Sequence, residues 1–224
     1  MTPNRTTLII DGIDHYMGAE IARFGRAMGH RIIGLLDGPL PDPEHFAHPW
    51  MHGVIWLTDP DALSDPYFVD HPKAFILTRH SLFDGHRGRF RSTHIDRLRS
   101  LLALADQWPR TAHLVFRSTV AQPLLPRAYT DTLQAAESLL QPFAPHLTIM
   151  RTPLLYGPDR PDSLLAFTLS QALNRLPFAR SLIPSPLPVE TAALAALRAA
   201  LEPDPPTLLT PDDIASYGDV MIPS

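Results

Sequence analysis

A pair of glycines near the beginning of the chain has the spacing of a phosphate-binding turn. Gly12 follows an apolar run at residues 7–10, and Gly18 lies six positions later, where apolar residues begin to recur at helical spacing. Gly12 would permit a tight turn, and Gly18 would let the helix pack closely on a sheet. A turn of this kind directs the backbone amides of a helix N-terminus at an anion such as a pyrophosphate. The pair predicts a dinucleotide site, with an ordinary glycine turn that binds no nucleotide as the alternative.

A second group of candidate ligands is a set of histidines in a proline-rich segment. Glu44, His45, His48 and His52 have a spacing that could ligate zinc. Pro49 lies within the group and would break any helix that aligned the imidazole rings. We therefore expect a solvated loop and no metal site.

Arginine supplies nearly all of the positive charge. Eighteen of the nineteen basic residues are Arg, and Lys73 is the one lysine. Six arginines lie between Arg79 and Arg99, after the fourth predicted strand. Guanidinium groups bind phosphates and carboxylates in a bidentate manner, so this segment could close over such a ligand. The alternative is a solvated surface loop.

The elements that would position these residues alternate between strands and helices. Apolar runs predict strands, and apolar residues at helical spacing predict helices between and after them. The predicted strands cover 7–10, 31–36, 54–57, 74–77, 113–116, 147–150 and 208–209, and the helices cover 17–28, 93–108, 127–141, 163–176 and 189–201. This alternation predicts an α/β fold with a parallel sheet covered on both faces. Ligands would then lie beyond the carboxyl ends of the strands, where the strand order reverses.

The composition excludes several classes of function. The formal charge is −4, which argues against a nucleic-acid partner. The absence of cysteine excludes disulfides, iron–sulfur clusters, cysteine-ligated zinc and thiol nucleophiles. No apolar run approaches the roughly 18 residues of a membrane-spanning helix, and residues 1–10 lack a signal-peptide h-region, so we expect no signal peptide. We expect a cytoplasmic protein with no membrane partner, and self-association as a homodimer stays open.

Five segments occur in the order found in the short-chain dehydrogenase/reductase superfamily. They are Gly12-x-x-His15-x-x-Gly18 and residues 29–34, 57–63, 135–140 and 151–158. From about residue 7 to residue 201 the chain resembles the extended and atypical branch, the NAD-dependent epimerase/dehydratase and NmrA-like group. The Arg-x-Pro-x-x-Tyr-Gly-Pro segment at 151–158 is the most specific element. The resemblance implies a Rossmann-type doubly wound sheet over residues 1–155 that binds NAD or NADP, and a small substrate or cap region over residues 156–224 on the same core.

The resemblance also implies which residues contact the cofactor. They are Gly12, His15, Tyr16, Met17, Gly18, Asp37, Trp56, Thr78, Arg79 and Pro153. Three positions depart from the family pattern and favour weak binding.

His15 replaces the middle glycine, so either the loop shifts or the imidazole donates to a phosphate. Leu36 replaces the acid that holds the adenosine ribose, and Asp37 is the expected substitute. No Arg follows Asp37 to accept a 2′-phosphate, which favours NAD. Trp56 replaces an Asp near the adenine, and its indole either stacks on the base or belongs to the core.

The catalytic pattern of the family is incomplete in this chain. Alignment through Glu137 places Tyr129 at the tyrosine position and Leu133 at the lysine position, and Ser118 at the serine position with Thr119 beside it. A tyrosine has a free pKa near 10 and needs a fixed cation to transfer protons at neutral pH. Ser118 and Tyr129 are therefore candidate catalytic residues without the usual Tyr–Lys pair, and their interval is short for the family.

Three functional hypotheses follow from this incomplete pattern. The first is an NAD(P)-dependent oxidoreductase or epimerase/dehydratase-like enzyme that acts without a Tyr–Lys pair on a small-molecule substrate. The second is a non-catalytic, NmrA-like nucleotide-sensing or scaffold protein, which the missing lysine favours. The third is a chain in which only the fold persists.

Overall fold

The computed structural model describes residues 6–36, 50–56, 73–78, 90–105, 112–121, 125–143, 146–157, 168 and 184–218. Asp37, Arg79 and the histidines at 45 and 48 lie outside the described residues. The predicted helix at 163–176 does too, except for Thr168. For Trp56 the backbone alone is described.

Nine strands and five α-helices are present in the described part of the chain. The strands are β1 (Thr7–Asp11), β2 (Arg31–Leu36), β3 (Gly53–Trp56), β4 (Lys73–Leu77), β5 (His113–Thr119), β6 (Leu147–Thr152), β7 (Leu155–Tyr156), β8 (Leu187–Pro188) and β9 (Leu208–Leu209). The helices are α1 (Tyr16–Ala27), α2 (Phe90–Ala105), α3 (Arg127–Leu140), α4 (Val189–Leu201) and α5 (Pro211–Gly218). The predicted strands and the other four predicted helices are confirmed, with ends shifted by at most about three residues, whereas β7, β8 and α5 were not predicted.

The main sheet has seven strands in the order β3-β2-β1-β4-β5-β6-β9, and each neighbouring pair is parallel. The chain moves outward from β1 to β3 and then returns to place β4 on the other side of β1. The predicted doubly wound, Rossmann-type sheet is confirmed. Its switch point lies between the carboxyl ends of β1 and β4.

The sheet is buried on both faces, as the continuous apolar runs predicted. In β1, Leu8 and Ile10 belong to the apolar cluster formed with α1 and α4, whereas Ile9 belongs to the cluster formed with α2 and α3. This alternation is the two-residue period of a strand. Because α4 covers the first face and β9 extends the sheet beside β6, these C-terminal elements complete the same core. Within the described residues, no helix has the length and apolarity needed to cross a membrane.

Candidate functional site

The turn after β1 depends on both glycines. Gly12 has φ of +80°, in the left-handed region where glycine carries no steric penalty, and its carbonyl accepts a hydrogen bond from the His15 amide at 2.9 Å. A Cβ on Gly18 would lie 2.1 Å from the Gly12 carbonyl oxygen and 2.9 Å from the Ile13 Cα. The sequence suggested that Gly18 lets the helix approach the sheet. The structure shows instead that its missing side chain makes room for the backbone of the turn.

Helix α1 begins directly after this turn, with His15 as its extended N-cap. The His15 side chain makes no capping hydrogen bond, and the first turn of α1 contains no acidic residue. The partial positive charge of the helix N-terminus is therefore not offset by a carboxylate of the first helical turn. The His15 imidazole Nε2 lies 3.9 Å from Asp14 Oδ1, and the Met17 side chain is buried in the core. Met17 can therefore meet a ligand only through its backbone.

Tyr16 joins the start of α1 to the segment that follows β6. Its hydroxyl donates to the Leu155 carbonyl at 3.1 Å. A Cβ on Gly157 would lie 4.0 Å from the Tyr16 ring and 2.8 Å from Val189 at the start of α4. Pro153 is buried between β6 and β7. The Tyr16 hydroxyl is thus used inside the protein.

Asp11 is held at the switch point by groups from two other elements. Its carbonyl accepts hydrogen bonds from the Thr78 amide at 3.0 Å and from the Thr78 hydroxyl at 2.8 Å. Its carboxylate forms an ion pair with Arg97 of α2, and the two side chains are only 5% and 9% exposed. These bonds join the carboxyl ends of β1 and β4 to α2.

Sequence reasoning missed the Asp11–Arg97 pair, because it treated Arg97 as part of a solvated or flap-like arginine segment. Arg97 lies in α2 between the buried residues Ile95 and Leu98. Its four-residue spacing from the buried Leu101 was a usable signal, since a cation beside the apolar face of a helix requires a partner.

The ion pair borders a small recess on the α2 side of the sheet. The recess is lined by Asp11, Leu77, His94, Arg97, Leu98, Leu101 and Phe116. Burial lowers the pKa of His94 to about 4, because desolvation penalises the charged imidazolium. His94 is therefore neutral at pH 7.

Ser118 belongs to a buried polar network at the carboxyl ends of β5 and β6. Its hydroxyl donates to Glu137 Oε1 of α3 at 2.5 Å, and Ser118 has no exposed surface. Arg151 donates to both Glu137 oxygens, from Nε at 3.2 Å and from Nη2 at 2.7 Å. The hydrogen bond to Glu137 raises the pKa of Arg151. The Ser118 proton is thus directed at Glu137, and the hydroxyl is not accessible to a substrate in this structure.

Comparison with known proteins identifies the fold. No family model matches the sequence, and no curated protein matches it either. A putative epimerase from Burkholderia cenocepacia J2315 is similar over 88% of this chain and 72% of its own, with a TM-score of 0.63 and 18% identity. The Bordetella bronchiseptica enzyme WbmH, solved in complex with NAD+, is similar over 88% and 72%, with a TM-score of 0.59 and 19% identity. Yeast methylglyoxal/isovaleraldehyde reductase, complexed with NADPH, is similar over 92% and 77%, with a TM-score of 0.62 and 14% identity.

The chain has the fold of these epimerase and reductase structures. Tyr129 and Leu133, which the sequence analysis aligned with a Tyr–Lys pair, both lie on α3. Tyr129 is 7% exposed and belongs to the apolar cluster beneath α2 and α3, and Leu133 in the same cluster has no exposed surface. The position that the alignment gives to the lysine is therefore enclosed by apolar side chains. Lys73 begins β4 beside Thr7, at the opposite end of the sheet from Asp11 and Thr78.

Of the three histidines in the predicted loop cluster, only His52 lies within the described residues. His52 Nδ1 accepts a hydrogen bond from the Ile32 amide at 3.0 Å, and its Nε2 contacts Arg26. Both ring nitrogens of His52 therefore have protein partners. Among the residues that the structure describes, no group of three or more potential metal ligands occurs.

Proposed function

We propose that the chain binds a nicotinamide dinucleotide, NAD or NADP with a preference for NAD, at the switch point between β1 and β4. The observation that carries the proposal is the glycine turn, in which Gly18 leaves room for the Gly12 carbonyl directly before the N-terminus of α1. A helix N-terminus at the carboxyl end of the first strand is the usual pyrophosphate site of this architecture. The NAD+ complex of WbmH and the NADPH complex of the yeast reductase, both with this fold, support it.

The residues of this site fit a dinucleotide in their chemistry. Backbone amides at Tyr16 and Met17 would bind the pyrophosphate, with the His15 imidazole as a further candidate donor, since the His15 amide donates to the Gly12 carbonyl. The first turn of the helix has no acidic residue to repel the anion. On the adenosine side, the sequence resemblance implies Asp37 as the candidate for the ribose and Trp56, if it does not belong to the core, as the candidate for the adenine. On the nicotinamide side, the candidates are Thr78, Arg79 and Pro153. When bound, the nicotinamide ring supplies hydride acceptance or donation.

For an enzyme of this class, the reaction is an oxidoreductase or epimerase/dehydratase-type step on a small molecule. Ser118 and Tyr129 remain the candidate catalytic residues of that hypothesis, and Thr119 lies beside Ser118. Such a reaction would have to proceed without a lysine beside Tyr129. Thr119 donates to the Thr152 carbonyl at 3.2 Å, so it is also engaged in joining β5 to β6.

The second candidate is a non-catalytic, NmrA-like protein that binds the nucleotide as a signal or scaffold. Two observations favour it. Leu133 is enclosed in the apolar cluster where the family has a lysine, and the hydroxyl of Ser118 is buried against Glu137. Both hypotheses require dinucleotide binding, and only the first requires turnover.

A pair of glycine variants on α1 tests dinucleotide binding. Gly18→Ala places a Cβ against the backbone of the turn, whereas Gly25→Ala on the same helix meets the ends of the Leu8 and Ile32 side chains at 2.8 and 2.9 Å. In fluorescence titrations with NADH and NADPH, we expect binding by the wild type and by Gly25→Ala, and loss of binding in Gly18→Ala. Circular dichroism checks that both variants fold. Absence of wild-type binding at millimolar cofactor contradicts the proposal.

A further inference from the structure

We propose that Arg97 controls the affinity of the dinucleotide site by neutralising Asp11, the residue directly before Gly12. The inference rests on the proposed dinucleotide binding. It assigns a positioning and electrostatic role to a residue of α2, which lies outside the glycine turn.

The position of Asp11 makes its charge important. Asp11 ends β1, and its backbone carbonyl is fixed by the amide and hydroxyl of Thr78 at the end of β4. The Asp11 carboxylate is in turn held by Arg97 beside the switch point, directly before the turn that would receive the pyrophosphate. With side-chain exposures of 5% and 9%, Asp11 and Arg97 interact where water screens charges poorly.

Arg97 provides the compensating charge on the α2 side. Among the described residues that line the recess, Asp11 is the acid, and Arg97 and His94 are the basic groups. His94 is neutral at pH 7 because burial lowers its pKa to about 4. A guanidinium remains charged at any pH that the protein tolerates. The net charge of the recess is therefore set by the Asp11–Arg97 pair.

Single substitutions in this pair have opposite consequences for an anionic ligand. Arg97→Met leaves the Asp11 carboxylate, which repels the pyrophosphate. Asp11→Asn leaves the Arg97 cation, which attracts it. The double variant removes both charges and restores their neutral sum. A pair that served only to hold the shape of the turn would instead lose affinity in either single variant.

The test is a set of NADH titrations at low ionic strength, where electrostatic effects are largest. We expect about tenfold tighter binding by Asp11→Asn, about tenfold weaker binding by Arg97→Met, and affinity within about threefold of wild type for the double variant. Asp96→Asn is the matched control, because Asp96 is adjacent on α2 and pairs with Arg99 in solvent, at 67% and 65% exposure. We expect no more than about a twofold change in this control.

The titrations distinguish failure of the proposed role of Arg97 from failure of the proposed dinucleotide binding. Unchanged or weaker binding by Asp11→Asn overturns the role of Arg97 while dinucleotide binding stands. If Arg97→Met does not fold, Asp11→Asn and the double variant decide the question. Absence of binding by the folded wild type overturns both proposals.

Discussion

The His113 imidazole Nε2 lies 3.0 Å from the hydroxyl oxygen of Thr148, across the neighbouring strands β5 and β6. The Thr148 hydroxyl donates its one proton to the Pro206 carbonyl at 2.7 Å, so it accepts from His113. The neutral His113 therefore carries its proton on Nε2, and an acidic solution would protonate Nδ1. Burial, and to a smaller extent His146, lower the pKa of His113 to about 4.

This arrangement predicts a pH dependence of stability. The folded pKa of about 4 lies below the ordinary histidine pKa of 6.5, so the unfolded chain takes up the proton first. The contribution of His113 to the free energy of unfolding is complete above pH 6.5, is lost between pH 6.5 and pH 4, and is constant below pH 4. Urea denaturation across this range measures the decline. The slope of the free energy of unfolding against pH reports the protons taken up on unfolding, and His113→Asn should lower it by the equivalent of up to one proton. Parallel curves for variant and wild type would contradict the assignment.

Glu137 is expected to stabilise the sheet through its contacts with Ser118 and Arg151. Glu137→Gln removes the charge that receives both donors, and we expect a loss of about 2 kcal/mol in the free energy of unfolding. The control on the same helix is Asp131→Asn, whose carboxylate faces Arg127 in solvent at 3.9 Å, and we expect a change below about 0.5 kcal/mol there. Equal effects of the two substitutions in chemical denaturation would show that the network contributes little.

A single substitution is not expected to restore the Tyr–Lys pair. Leu133 has no exposed surface, so Leu133→Lys places an ammonium group among apolar side chains. We expect a loss of more than about 3 kcal/mol in stability, which thermal or urea unfolding measures. Leu133→Met conserves the volume and should cost less than about 1.5 kcal/mol. A Leu133→Lys protein as stable as wild type would show that the side chain reaches solvent.

The wild type is expected to show no dehydrogenase turnover on generic alcohols, ketones or sugar nucleotides. Without an amine beside Tyr129, proton transfer loses the roughly 10²–10⁴-fold that a matched acid–base group supplies. Nicotinamide absorbance with a panel of carbonyls and quinones measures turnover. The prediction does not extend to quinones, because these hydride acceptors need little acid catalysis. Tyr129→Phe should leave any residual rate unchanged. Robust activity that collapses in this variant would show that Tyr129 is catalytic.

The features predicted correctly from the sequence are those that depend on residues close together in the chain. The apolar runs located the strands because parallel strands are buried on both faces, and apolar spacing located α4. The glycine turn was predicted from two residues six apart. The Asp11–Arg97 pair was not, because its members are 86 residues apart and meet only when α2 packs on the sheet. The two-residue strands β7 and β8 were also missed, although the equally short β9 was predicted from its apolar pair.

The position of α4 has a consequence for synthesis on the ribosome. Leu8 and Ile10 lie in one apolar cluster with the alanines of α4, which begins at Val189. At translation rates of about 5–20 residues per second, the first strand leaves the ribosome roughly 10–40 s before the helix that covers it. During that interval the α1 face of the nascent sheet lacks part of its cover. Chaperone binding to nascent chains should therefore persist until α4 has emerged.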